Sequence, residues 1–261
     1  LLKAQAHGYD MILRIIQIIT LILLWIPPVA AQSTGAYKIV EKAYNNRFLS
    51  NFQAEADMTI YRPTWQRSIG LKTWLKTREM CLILIVSPTK EKGQAFLKRG
   101  DNMWSWQPVI ERTVKIAASA AGTSWQGSDF TVDDMLNSSS FLSDFSHELS
   151  GEEEVDGDLC HKLLLTPHPE STTLWSKVIV WISKTTFVER KIEYYDEDDV
   201  LIRTYFSDNI KKIKDHYVPL HLEVIPADKE GHKTVVTILD WDYSTSFKES
   251  FFSLQNMRRL N

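Results

Sequence analysis

The residues best suited to chemistry are scattered along this chain rather than grouped. Beyond the first ten positions the histidines are His147, His161, His168, His216, His221 and His232. They form no HExxH pattern and no cysteine–histidine cluster at zinc spacing. His216 and His221 stand five apart, so on one regular strand they point to opposite faces. No serine sits in a GxSxG elbow, and no GxGxxG or Walker-type loop is present to cradle a phosphate. Ser138-Ser139-Ser140 reads as loop and capping residues. Cys81 and Cys160 belong to no CxxC pair, which excludes a dithiol redox motif and a zinc knuckle. An exported protein can oxidise two such cysteines. Buried free thiols are the equal alternative, because spacing alone does not bring two cysteines together. These absences point away from an enzyme and from a metal or cofactor. The formal net charge of -3, without a clustered basic surface, points away from nucleic acid.

Two short motifs have simpler readings. Arg99-Gly100-Asp101 matches an adhesion tripeptide, but a hairpin turn uses the same residues. Asn137-Ser138-Ser139 matches a glycosylation acceptor, a three-residue pattern that serine-rich loops produce by chance. What remains is apolar and aromatic. Met103-Trp104-Ser105-Trp106 puts both tryptophans on one strand face, Trp125 and Phe130 flank a stretch without period, and Trp181 lies in a run apolar on both faces. Such material packs a core, or it lines a greasy pocket with a movable cover.

The elements that would position these groups are mostly strands. Ala54, Ala56, Met58 and Ile60 alternate with Glu55, Asp57, Thr59 and Tyr61, and Trp65, Ile69, Leu71 and Leu75 open a second alternating run. Met80 to Val86 is apolar on both faces and should be covered on both sides. Gln94 to Lys98 and Met103 to Gln107 follow, separated by glycine-containing turns. Further strands are predicted at Leu159–Thr166, Lys177–Ser183, Val188–Tyr195, Leu201–Phe206, Lys211–Ile225 and Thr234–Trp241, with a turn at Ser207 to Asn209. Ala36 to Phe48 has helical spacing through Ala36, Val40 and Ala43. Ser128 to Leu136 is predicted as a short helix, with Thr131 and Asp134 spaced as a capping box. A softer helical or loop segment runs on to Leu149, and Glu152-Glu153-Glu154 reads as solvated surface. Short links between consecutive strands imply one antiparallel sheet, and a sheet of about ten strands twists and curls.

The N-terminal region has the layout of an export signal. Residues 1–10 lack methionine and read as upstream of a start at Met11. Residues 11–31 then give a basic Arg14, an apolar run from Ile15 to Ile26, Pro27-Pro28, and small residues ending at Ala31. The apolar run is short of the ~20 residues that span a bilayer. A mature chain from Gln32, residues 32–261, is expected to form a single domain in the periplasm.

The stretch Lys92 to Met135, KGQAFLKRGDNMWSWQPVIERTVKIAASAAGTSWQGSDFTVDDM, resembles the outer-membrane lipoprotein-sorting proteins, the LolA-like group of periplasmic carriers. Phe96 to Trp104, Ser124 to Phe130, Gly157 to Pro167, Gly231 to Thr234 and Phe251 to Leu254 carry the likeness, which extends from about Ala36 to Leu254. The resemblance implies a mainly β fold with some helix: an unclosed, half antiparallel β-barrel of about ten or eleven strands whose concave apolar face is lidded by helices. It implies a monomeric carrier for lipid or lipoprotein acyl chains, working beside an inner-membrane transporter or permease. A second role it allows is a sensor of mislocalised lipids or lipoproteins. The expected cavity draws on both halves of the sheet and on the lid, through Leu97, Trp104, Trp106, Trp125, Phe130, Val178, Val180 and Leu222. Period two places Trp104 with Trp106, and Val178 with Val180, without saying which face is concave. Trp125 and Phe130 enter because large apolar groups in an aperiodic segment are costly to expose unless they cover something.

Overall fold

A computed structural model describes residues 29–48, 51–136, 140–171 and 173–260. The expected export signal upstream of Val29, and Asn137-Ser138-Ser139, lie outside the described residues.

Among the described residues, thirteen strands form a single antiparallel sheet that does not close. The first six run outward from the middle to one edge: β1 (Phe52–Arg62), β2 (Trp65–Thr77), β3 (Met80–Ser87), β4 (Ala95–Arg99), β5 (Asn102–Gln107) and β6 (Arg112–Ile116). The chain then restarts at the opposite edge with β7 (Phe145–Val155) and returns through β8 (Asp158–Pro167), β9 (Lys177–Ser183), β10 (Glu189–Tyr195), β11 (Leu201–Ile213), β12 (His216–Pro226) and β13 (Lys233–Asp242). β13 pairs with β1, with Met58 opposite Val236 and Ile60 opposite Thr234, and so joins the two halves.

This order dictates where the cover goes. The connection from β6 to β7, residues 117–144, must travel from one edge of the sheet to the other. At ~4.8 Å per strand a flat sheet of this width spans roughly 58 Å, and the connection reaches about 90 Å when extended. Its Trp125, Phe130 and Val132 pack against strands of both halves, so the described part lies across a face. Helix α1 (Val29–Phe48) lies on the same face at the β7 end, against β7, β9 and β12. Its buried stripe is Ala36, Val40 and Ala43, the small residues that let a helix approach a sheet closely. Asn46 fixes its end by donating from Nδ2 to the Tyr217 carbonyl at 2.8 Å and accepting from the Tyr217 amide at 3.0 Å.

Alternation then sorts the side chains. Inner-face residues Met58, Ile60, Ile69, Ile83, Ile85, Phe96, Met103, Val224 and Val236 pack with Trp125, Phe130 and Val132 of the crossover. Val178, Val180 and Ile182 pack with α1. Tyr205 borders both clusters, so the inner face is one continuous apolar surface. On the other face Leu82, Leu84, Ala95 and Leu97 meet Phe252 and Met257, which belong to the C-terminal segment carrying the short helix α2 (Leu254–Met257). β3 is thus covered on both sides, as its doubly apolar run requires.

Four sequence expectations are corrected. The strands number thirteen rather than ten or eleven, because the sequence pattern marks neither sheet edge, β6 or β7, as a strand. β7 begins at Phe145, where a helical or loop segment is expected as far as Leu149; its Glu152-Glu153-Glu154 run is solvent-exposed as expected, and Glu153 and Glu152 pair there with Lys162 at 2.8 Å and Lys184 at 2.5 Å. The turn expected at Ser207 to Asn209 falls instead at Lys214-Asp215, where Ile213 pairs with His216 and Lys214 takes φ 53°. Ser128 to Leu136 is helical only over Val132–Leu136. Thr131 and Asp134 do form the capping box there, the Thr131 amide donating to Asp134 at 2.7 Å and the Asp134 amide to Thr131 Oγ1 at 3.2 Å. The two cysteines are free and buried. Burial pushes the Cys81 thiol up to about 12, and burial followed by the Asp158 charge pushes Cys160 up to about 11.

Candidate functional site

The site is the inner face beneath the crossover. The crossover makes a tight loop there. The Trp125 amide donates to the Phe130 carbonyl at 2.8 Å, and Ser124 bridges Thr131. Between them Gln126 (φ 52°) and Gly127 (φ 74°) turn the chain in the left-handed region that favours glycine. Ser128 stiffens the loop from inside, donating to the Trp125 carbonyl at 2.6 Å and accepting from the Phe130 amide at 3.2 Å. The loop thereby drives two aromatic side chains down onto the sheet. Trp125 stands edge-on to Phe96 at 5.1 Å, and Phe130 edge-on to Tyr205 at 5.5 Å. Sealing two such rings away from water contributes on the order of 1.5–3 kcal/mol each.

Around this apolar plug runs a polar latch. Arg62, at the end of β1, donates from Nη1 to Asp129 at 2.9 Å and from Nη2 to the Gly127 carbonyl at 2.8 Å. Thr234 of β13 donates to Asp129 at 2.7 Å and accepts from the Asp129 amide at 3.0 Å. Arg67, paired with Glu91, reaches the Gln126 carbonyl at 3.4 Å. The strongest arm is Arg203 of β11, which grips both oxygens of Asp134 at 2.7 and 2.9 Å. Trp175, Tyr194 and Tyr205 surround its guanidinium at 4.6, 4.7 and 5.1 Å. Burial alone would pull Arg203 down, but the paired Asp134 carboxylate, with the faces of the neutral Tyr205 and Tyr194 rings, outweighs it and holds the guanidinium above its ordinary value. Burial, then Asp134, pushes the Tyr205 phenol well above its own. Arg203 is therefore a permanent cation in an apolar surface. Stripping a partner from such a pair costs about 3–5 kcal/mol, whereas the intact pair adds little net stability.

The eight residues expected from the sequence do not share one cavity. Trp125, Phe130 and Leu222 meet in the cluster under the crossover, and Val178 and Val180 lie on the same face under α1. Leu97, Trp104 and Trp106 lie on the outer face beneath the C-terminal segment. The reason is the two-residue period: in β4 and β5 it is Phe96 and Met103 that turn inward. Arg62, Arg203, Asp129, Asp134, Thr234 and Tyr205 were not anticipated. Asp134 left a trace through the capping box, and Asp129 and Thr234 lie in the runs that carry the family likeness, but nothing in the spacing singled out the arginines. A hollow of about 430 Å³ opens in the C-terminal segment among Ser246, Ser250, Ser253, Gln255 and Asn256. Phe247 and Phe251 also line it, beside Lys248 and Arg259, and it lies away from the latch.

An unclosed antiparallel half-barrel with a covered apolar face is the LolA-like fold. Solved structures that share it include three with similar extent. A domain from Vibrio parahaemolyticus named for outer membrane lipoprotein sorting has a TM-score of 0.79 at 18% identity, covering 87% of this chain and 100% of that one. A DUF1329 family protein from Desulfovibrio piger has a TM-score of 0.79 at 24% identity, covering 87% and 99%. A LolA superfamily protein from Nitrosomonas europaea has a TM-score of 0.71 at 23% identity, covering 84% and 98%. The chain belongs to the family whose model, described as that of an uncharacterized protein, matches residues 77–259. No curated protein matches it.

Proposed function

We propose that this protein is a periplasmic carrier that takes lipid or lipoprotein acyl chains onto its inner face beneath the crossover. It would serve outer-membrane lipoprotein sorting or a lipid export route linked to an inner-membrane transporter. The observation that carries this reading is a continuous apolar surface closed by a separate segment, with Trp125 and Phe130 as the plug and Arg62 and Arg203 as the latch. An acyl chain leaving water gains about 0.8 kcal/mol per buried CH₂, on the order of 10 kcal/mol for a long chain before ordering costs. A carrier must also release what it holds. Opening the latch subtracts from that gain and leaves a net affinity that a partner can reverse.

The fold itself supports separating pocket from structure by mutation. Phe130→Ser removes part of the inner plug, whereas Trp106→Ser alters the outer face. Binding of a fluorescent fatty-acid analogue is expected to change at least about fivefold in Phe130→Ser, by loss of roughly 1 kcal/mol of burial, and to stay within twofold in Trp106→Ser. Equal affinities in the parent and Phe130→Ser, with both folded, would place the ligand elsewhere.

A further inference from the structure

Arg203 does more than hold the cover. It sits at Tyr205, where the cluster under the crossover meets the cluster under α1. Its aromatic walls are Tyr194 on β10, Tyr205 on β11 and Trp175 just before β9, so they remain when the crossover lifts. From the crossover come the counter-charge, the two oxygens of Asp134, and a longer contact from Arg203 Nη1 to the Asp129 carbonyl at 3.4 Å. Within the closed site the Arg203 Nε is buried without an acceptor, so the pair does not exhaust the guanidinium. Opening the crossover for a purely apolar ligand would strand this cation in a greasy surface. Arg62 would lose Asp129 in the same motion. A ligand that brings its own planar or tetrahedral oxyanion removes that penalty, because a guanidinium fork binds carboxylate and phosphate with two parallel hydrogen bonds.

We infer that the ligand is an anionic amphiphile whose carboxylate or phosphate displaces Asp134 from Arg203, while its chain covers the apolar surface on either side. Asp134 is then an internal stand-in for the headgroup, and headgroup exchange is what couples loading to opening. This rests on the carrier reading and adds the chemical class of its cargo.

The test compares dodecanoate, dodecyl phosphate and 1-dodecanol below their aggregation limits near neutral pH, with inorganic phosphate as the tail-free control. Displacement of a fluorescent fatty-acid analogue from the full chain reads the affinities. At least one of the two anions is expected to bind about tenfold or more tighter than the alcohol, the size of one charge-assisted bond. Which anion wins distinguishes a fatty acid from a phospholipid-like headgroup. Arg203→Met should bring the anion and the alcohol within about twofold. Asp134→Asn keeps the guanidinium and removes its competitor, so it should tighten the anion and preserve the preference, and it decides the matter if Arg203→Met does not fold. Equal binding of anions and alcohol by the parent, or loss of the preference in Asp134→Asn, overturns the headgroup proposal while leaving the carrier reading in place. Inorganic phosphate binding as tightly as dodecyl phosphate also overturns it. Binding of none of the amphiphiles overturns both.

Discussion

The two faces of this sheet are covered in opposite ways. On the outer face the C-terminal segment presses Phe252 and Met257, both fully buried, onto Leu82, Leu84 and Leu97. Phe251 adds an edge contact to Trp74 at 5.6 Å. Its polar ties to the sheet include a Lys76–Glu249 pair at 3.7 Å, a bond from Arg258 Nε to Thr113 at 3.0 Å, and bonds from the Ser244 amide and Thr245 hydroxyl to Asp242 at 2.6 and 3.1 Å, none of them fully buried. On the inner face the crossover adds to its aromatic plug two buried arginine–carboxylate pairs and a threonine–aspartate pair. Apolar cover is stabilised in proportion to area and offers no alternative partner. Buried ion pairs give little net stability but strongly specify which groups must meet. On the carrier reading, the outer cover stays in place and the inner cover is the one exchanged.

The comparison breaks most visibly at Phe252. Phe252→Ala should destabilise the whole domain by about 3–5 kcal/mol, because a large ring leaves a fully packed site. Chemical denaturation would show a shifted midpoint with all probes moving together. If instead only the C-terminal segment loosens, the outer cover is not part of the cooperative core.

The inner cover should respond locally. Asp134→Asn weakens the grip on Arg203, and the amides of Trp125 and Val132, which bond to Phe130 and Thr123 across the loop, report the result. A loss of about 3 kcal/mol corresponds to roughly a hundredfold faster hydrogen exchange at those amides. Strand amides of β3 and β11 should change far less. Uniform acceleration across the sheet would mean that crossover and barrel open as one unit.

A third expectation concerns α1, which shares the inner face but has no arginine latch of this kind among the described residues. His147 of β7 meets Tyr37 edge-on at 5.6 Å and contacts the Phe141 carbonyl at 2.6 Å. Burial, only partly offset by that carbonyl, lowers its pKa from the ordinary 6.5. The unfolded chain therefore takes up the proton first as pH falls. The contribution of the neutral ring is complete above 6.5 and is lost progressively below it. Stability should decline from pH 7 toward 5 more steeply in the parent than in His147→Gln, as followed by thermal melts. Parallel profiles would remove His147 from this role. The smallest effect should come from Glu249→Gln on the outer cover, about 0.5 kcal/mol or less for an exposed pair. A larger shift in denaturation midpoint would show that the C-terminal segment depends on charge after all.

Much of this contrast was hidden in the sequence for identifiable reasons. Central strands such as β1 and β12 announce themselves by alternation, since one side of each strand is buried and the other is not. The edges β6 and β7 do not: in β7 only Phe145 and Val155, at its two ends, are buried, so the pattern between them is that of a surface. Val178 and Val180 were legible because the run that carries them is buried and helix-covered. Trp104 and Trp106 were legible as a pair, but a period of two carries no sign, and the outer cover that they meet lies some 150 residues downstream (Phe252). Arg62 and Arg203 sit on strands β1 and β11, far from Asp129 and Asp134 in sequence. Only the edge-to-edge crossing of the chain brings them together.

The central claim is that ligand entry requires the crossover to leave the inner face. Asp129 and Thr234 already touch through two hydrogen bonds, and the two native cysteines are buried, so a staple can be placed between crossover and sheet. In the double variant Asp129→Cys, Thr234→Cys, the oxidised protein should lose binding of a fluorescent fatty-acid analogue, and a mild reductant should restore it. An oxidised, verified disulfide form that binds as tightly as the reduced one would contradict the account, because the ligand would then be reaching a site that the crossover does not close.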